Sequence, residues 1–269
     1  MTMVDTVGSV TDRPLWQTVG VPSEHGGWGL TLEPALLGLI VAPSRAGALL
    51  GAAALLTFLV RTPLKLAVID ARRGRWLERS RLATKIAVAE LGVLAGLVAL
   101  IVHATGWAWF VPVAIAIPLV GIELWFDVRS RGRRLIPELC GAVGIASVAA
   151  AIVVAADRGA TLAAGVWLIL AARVIGSIPF VRVQIQRLRR GATDTRASDA
   201  VQLVAVAIGV AAAVLDRRMI LALAGLVVLA VVQVVWVRRP PIAAKVLGIW
   251  QMVLGVALVA VTAAGVLAS

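Results

Sequence analysis

Uninterrupted apolar runs of about 18 or more residues recur along the whole chain, and a run of that length crosses the ~30 Å hydrocarbon core of a bilayer as an α-helix. No water reaches that core, so every backbone N–H and C=O must find its partner inside the protein, which leaves helices or a closed β-barrel. A barrel would show alternating segments of roughly ten residues, and none occur. The fold class is therefore an all-α polytopic membrane protein. Composition agrees, at 61% hydrophobic with a mean hydropathy of +0.97. The formal charge of +12 does not describe a nucleic-acid surface, because the basic residues fall in the short breaks between apolar runs. They read as topology determinants, and no nucleic-acid partner is expected.

About nine spans follow along the chain. The first runs from Trp28 to Ala42 and is short, with Ser23 as the N-cap of a helix starting near Glu24 and Pro43-Ser44 ending it. The others run from Ala46 to Ile69, Ile86 to His103, Trp107 to Trp125, Leu135 to Ala156, Ala160 to Val183, Ala200 to Leu215, Met219 to Val237 and Ala244 to Leu267. Before Pro22 the chain is polar and mixed, with no apolar core after a basic start, so no cleavable signal peptide is expected. Residues 1–21 read as a short frayed cytoplasmic tail and residues 22–269 as a single transmembrane domain. The lone cysteine, Cys140, lies in an apolar span and reads as a small hydrophobe.

Basic residues in short loops are retained in the cytoplasm. With the N-terminus inside, 21 of the 26 Lys and Arg residues fall on the inner side and four on the outer, with Arg173 inside a span. The expected location is the inner (plasma) membrane, multi-pass, with the N-terminus cytoplasmic and the C-terminus outside.

With that orientation, the ionisable residues of the spans gather in the inner half. Glu24, His25 and Glu33 enter from the cytoplasmic face, and Arg61, Lys65, Asp70, Glu123, Asp127 and Arg182 lie near it. Arg173 is deeper, nine residues before Arg182, or about 13 Å. An ionisable residue in hydrocarbon faces the bundle interior and marks a site. The expectation is a polar cavity open to the cytoplasm and floored by Arg173 and Glu33. Arg61 and Lys65, Glu123 and Asp127, and Arg182 and Gln186 are each four apart and share a helix face. Arg forks chelate phosphate oxygens and a helix N-terminus presents free N–H groups, so these sets suit an anionic headgroup. Arg61, Lys65, Asp70, Glu123, Asp127, Arg173, Arg182 and Gln186 are the candidate ligand-binding residues. His25, Glu24 and Glu33 are the candidate acid–base groups, His25 because its ordinary pKa suits proton transfer near neutrality. Against this stands a plainer account of the same residues: snorkelling side chains at the interface, and a structural ion pair between Glu33 and Arg173.

The stretch P-S-E-H-G-G-W-G-L-T-L-E-P from Pro22 to Pro34, followed by A-L-L-G-L, resembles the opening signature of the YwiC-like family of bacterial integral membrane proteins, specifically at Glu24, His25, Gly26 and Trp28. A second resemblance is architectural. About nine spans with functional groups at the inner ends of the second and sixth are similar to the UbiA superfamily of intramembrane prenyltransferases, which implies a UbiA-like helical bundle and an isoprenyl diphosphate held through Mg²⁺ by two aspartate-rich motifs. The chain departs from that pattern. Asp70 is the one acidic residue from Arg61 to Arg72, and V-R-V-Q-I-Q-R-L-R-R from Val181 to Arg190 has none. No metal ligand set is assigned, Mg²⁺ is left open as a cofactor, and the anion would be held directly by Arg61, Lys65 and Arg182.

Three functions stay open on this sequence. The first is a cytoplasm-facing binder of an anionic, amphipathic isoprenoid or lipid-like ligand, a divergent UbiA-type transferase in its enzymatic form, with membrane lipid as its surroundings. The second is a transporter, for which Glu33-Pro34 and Arg173 would serve a proton-coupled path. The third is a membrane subunit or assembly factor of a respiratory complex.

Overall fold

The computed structural model of the protein describes residues 14–20, 25–74, 76–129, 134–191 and 194–269, with the helix backbone alone described at positions 25, 26 and 128. All regular structure among these residues is helical: α1 (Leu15–Gly20), α2 (His25–Val41), α3 (Arg45–Arg72), α4 (Glu78–Thr105), α5 (Phe110–Val128), α6 (Leu135–Ala155), α7 (Ala160–Arg190), α8 (Arg196–Leu215), α9 (Ile220–Trp236, preceded by a 3₁₀ turn Arg217–Met219) and α10 (Ala244–Leu267). Helices α3 to α10 are long and apolar enough to cross a membrane, while α2 is a shorter apolar helix. The protein is a polytopic all-α membrane protein, and its nine expected spans correspond in order to α2 through α10.

Two features differ from the sequence expectation. The basic stretch after Ile69 is largely helix, since α3 continues to Arg72 and α4 begins at Glu78. Hydropathy marks only the part of a helix that lies in hydrocarbon, and backbone hydrogen bonding carries the helix on beyond it. Residues expected to belong to a frayed tail include α1, which packs on α3 and α4 with Val19 buried. Ser23 and Glu24 lie outside the described residues. The cap that is visible belongs to α3, where the Ser44 side chain accepts from the Gly47 N–H at 2.9 Å.

Helices α6 and α7 form the centre. In their apolar stretches 56% and 67% of residues are buried, against 11% in α4 and 17% in α5. Small side chains explain the difference: Ala142, Gly144, Ala146, Ala149, Ala150 and Ala151 are buried along α6 and allow neighbouring backbones to approach closely. Helix α2 lies against α6, α3 and α10, while α7 to α10 pack in succession. Helix α5 runs along α6 and barely meets the backbones of α3 and α4. The tips of these helices are joined by an apolar cluster of Leu50, Ile101, Trp109 and Ile152. Their other ends, with those of α7 and α9, make up a basic end of the bundle.

A buried polar layer and an ionic cluster at the basic end

Four helices carry a proline beside a polar group: Pro34 follows Glu33, Pro63 lies between Arg61 and Lys65, Pro118 precedes Glu123 by five residues, and Pro179 precedes Arg182 by three. A proline within a helix leaves the carbonyl of the residue four before it without its usual donor; for Pro34 and Pro63 that carbonyl lies within one turn of Glu33 and Arg61. The candidate residues then separate into distinct settings.

The first is a buried layer across the bundle. Arg173 on α7 and Glu33 on α2 are 3% and 4% exposed. The Arg173 guanidinium donates from Nη2 to Glu33 Oε1 at 3.4 Å and to the Gln251 backbone oxygen at 2.6 Å, and from Nη1 to Gln251 Oε1 at 3.4 Å. The short bond to the α10 backbone is the strong one; the contact with Glu33 is long for a charge-assisted bond. Gln233 Nε2 on α9 continues the chain to Gln251 Oε1 at 3.5 Å, and Gln202 Nε2 on α8 donates to Gln233 Oε1 at 2.8 Å and to the Gly176 carbonyl at 2.9 Å. A sequence of hydrogen-bonded side chains thus links α2, α7, α10, α9 and α8. Where an open cavity floored by Glu33 and Arg173 was expected, the two side chains are enclosed and face each other. Arg173 Nε and Gln251 Nε2 are buried without a hydrogen-bond partner among the described residues.

The second setting is an ionic cluster between α3 and α5. Arg61 donates to Asp127 Oδ2 through Nε at 3.2 Å and Nη2 at 2.6 Å, and Nη2 lies 2.7 Å from Glu123 Oε1. Lys65 Nζ is 3.2 Å from Asp127 Oδ1. The two i,i+4 pairs therefore meet as one group, bridging helices whose backbones hardly touch. Arg61 and Lys65 keep 35% and 42% of their side-chain surface exposed, while Asp127 keeps 8%. Arg129, a neighbour that could compete for these carboxylates, sits instead over the Trp125 ring at 3.5 Å.

Glycine seats the carboxylates in both settings. A Cβ at Gly255 of α10 would collide with the Glu33 carboxylate, and one at Gly141 of α6 with that of Glu123. Gly176 similarly accommodates Gln202, whose Oε1 would lie 2.8 Å from an added Cβ.

The remaining candidates lie elsewhere. Arg182 on α7 pairs with Glu138 on α6 at 2.8 Å, and Gln186 is exposed one turn further on. Asp70 is buried in the α3–α4 hairpin, where it accepts from Ser80 Oγ at 2.6 Å and from Arg79 at 3.4 Å. Glu24 and the His25 side chain fall outside the described residues. Among the described residues no group of three or more His, Cys, Asp and Glu side chains is placed to hold a metal ion. The residues missed from sequence are Gln202, Gln233 and Gln251. Their signal was present, as isolated amides in three otherwise apolar spans, but a neutral side chain does not interrupt a hydropathy profile as a charge does.

No curated protein and no solved structure matches the chain. The family model of the YwiC-like proteins covers residues 21–155, half of the chain, ending with the last residue of α6, so the polar layer joins Glu33 in the matched region to partners on α7 to α10 beyond it. The chain belongs to the YwiC-like family.

Proposed function

We propose that this protein binds an anionic, amphipathic ligand of the isoprenoid diphosphate or lipid-like class, with Arg61 and Lys65 taking the headgroup in exchange for Glu123 and Asp127. The observation that carries the reading is the cluster's setting: two cations of α3, each with more than a third of its side-chain surface exposed, reach carboxylates on α5, a helix whose backbone barely meets that of α3. Phosphate oxygens match the same donors that the carboxylates use, and Arg offers its fork to either. Replacing one anion by another keeps the cations paired, while the released carboxylates of Glu123 and Asp127, 18% and 8% exposed, must be taken up by water or another cation, which is the cost of the exchange. An apolar tail would lie along α5, whose outward side chains Ile115, Ile117 and Leu124 are exposed. The basic end faces the cytoplasm of the plasma membrane in this account, following the asymmetry of Lys and Arg.

The transferase form of this reading rests on the likeness of span count and charged span ends to the UbiA superfamily. The buried layer supports a second reading, transport, because Glu33 and Arg173 tie α2 to α7 and α10 at one level of the bundle. Accumulation of solute in vesicles that is abolished by Glu33→Gln would favour transport.

Ligand binding is tested by the thermal stability of the purified full-length protein in neutral detergent against a panel of isoprenyl diphosphates, with and without Mg²⁺. Ligand at about a hundred times its dissociation constant stabilises by roughly 2.7 kcal/mol. A clear shift that is lost in Arg61→Gln/Lys65→Gln supports the reading. Absence of a shift with every diphosphate overturns it.

A further inference from the structure

Helices α3 and α4 are each 28 residues long, about 42 Å, which exceeds the ~30 Å hydrocarbon core. The excess lies at the basic end. Lys65 pairs with Asp127 in the last turn of α5, so the seven residues from there to Arg72 extend the hairpin beyond α5 by about 10 Å. That is the depth range of lipid headgroups.

This projecting hairpin is tied together and is predominantly basic. Asp70, 2% exposed, locks α3 to α4 through Ser80 and Arg79, and α1 packs across both helices. From Asp70 to Lys85 the sequence has six basic and two acidic residues. The buried Asp70 is occupied within the hairpin, while Arg72, Arg81 and Lys85 are exposed and make no ion pair among the described residues. Beside them stand Trp76 at 61% exposure, Leu77 at 46% and, on α1, Trp16 at 56%. The α7–α8 connection at the same end is also basic, but residues 187–196 contain no aromatic, and Arg187 is engaged with the carbonyls of Val237 and Arg239.

We propose that the α1–α3–α4 tip is a docking surface for the anionic phospholipid headgroups of its own leaflet. Arg72, Arg73, Arg81 and Lys85 contact phosphodiesters, and Trp16 and Trp76 anchor the tip at the interface. Basic clusters immediately beyond a span attract anionic lipid, and indole rings settle at headgroup level. A soluble acidic partner would not call for exposed tryptophans on two neighbouring elements at that depth. The surface is separate from the Arg61–Asp127 cluster and does not depend on the ligand reading.

The test compares melting of delipidated full-length protein in neutral detergent after addition of phosphatidylglycerol or chain-matched phosphatidylcholine, at low and at high salt. The proposal expects a shift of several degrees with phosphatidylglycerol beyond that with phosphatidylcholine. The excess fades in high salt, disappears in R72Q/R73Q/R81Q/K85Q, and persists in R189Q/R190Q. Equal shifts with the two lipids, or an excess that survives in the fourfold variant, would overturn it. So would a matching shift from soluble glycerol 3-phosphate, which would mark a free-anion site. Salt dependence in the unmodified protein keeps the test decisive if the fourfold variant does not fold, since an excess insensitive to salt also contradicts the proposal.

Discussion

The Glu33–Arg173 pair and the Arg61–Asp127 cluster use the same chemistry, a guanidinium against a carboxylate, in opposite settings. At the centre both partners are almost fully enclosed, and the guanidinium's short bond goes to a backbone oxygen of α10. At the basic end the cations are partly exposed, and their contacts include one as short as 2.6 Å. Desolvation decides what each can do. Removing one partner of a buried pair strands a charge and costs about 3–5 kcal/mol, whereas an exposed pair is worth about 0–1 kcal/mol. The centre is therefore a joint that resists exchange. The cations of the cluster are the ones open to solvent, and the proposed headgroup would meet them there.

Substitutions can break this contrast in graded steps. The largest effect is expected at the centre: Arg173→Ala, which strands the Glu33 charge, should lower stability by about 3–5 kcal/mol in denaturation of the purified protein. The double change Glu33→Gln/Arg173→Gln should recover much of that loss, because no charge is left unpaired. Next comes the glycine seat. Gly255→Ala places a methyl group against the Glu33 carboxylate and should cost about 1–3 kcal/mol by overpacking; in a Glu33→Ala background, already destabilised by the stranded Arg173, the same methyl should cost little more. Arg61→Gln/Lys65→Gln removes two partly exposed cations but leaves the buried Asp127 without them, so a loss of about 1–2 kcal/mol, between the surface and the buried case, is expected, while the proposed ligand-induced stabilisation disappears. A result in which this pair destabilises as much as Arg173→Ala would erase the distinction between the two regions.

The smallest effect is expected at the opposite end, in the turn between α8 and α9. Hydrogen bonds from the Arg218 side chain, which outweigh desolvation, hold the Asp216 carboxyl below the usual carboxylate range. A depressed carboxylate contributes stability that is fully present above its unfolded pKa and is lost as pH falls through its folded value. Asp216→Asn, whose amide oxygen can still accept from the Arg218 N–H, should therefore cost up to about 1 kcal/mol at neutral pH through loss of the ion pair with Arg218, with the difference from the unmodified protein shrinking below the ordinary carboxylate range. Melting curves measured from neutral to acidic pH would check this.

Much of the fold was legible because hydrocarbon thickness sets one length scale for every span. Glu33 and Arg173 were legible because a charge in hydrocarbon demands a partner, and the i,i+4 spacing of Arg61 with Lys65 and Glu123 with Asp127 put each pair on one face. What the sequence could not give is which faces meet. Arg61 and Asp127 are 66 positions apart, and nothing local couples them. Gln202, Gln233 and Gln251 stand out as lone amides in apolar spans, but nothing local joins them into one chain, and amides cost less to bury than charges. The glycine seats were equally hidden, since nothing in the sequence around Gly141 and Gly255 names the carboxylates that oppose them. The length of α3 and α4 was underestimated for a related reason: hydropathy reports where lipid ends, while the helix ends where its hydrogen bonding does.

The most direct test of the division between joint and binding site is the affinity of one isoprenyl diphosphate for three proteins: unmodified, Arg61→Gln/Lys65→Gln, and Glu33→Gln/Arg173→Gln. The account predicts that loss of the two charge-assisted contacts weakens binding by at least about tenfold, or 1.4 kcal/mol, in the first variant, while the second binds within a few-fold of the unmodified protein. The reverse pattern, with binding intact in Arg61→Gln/Lys65→Gln and lost in Glu33→Gln/Arg173→Gln, would contradict it and move the site to the buried layer.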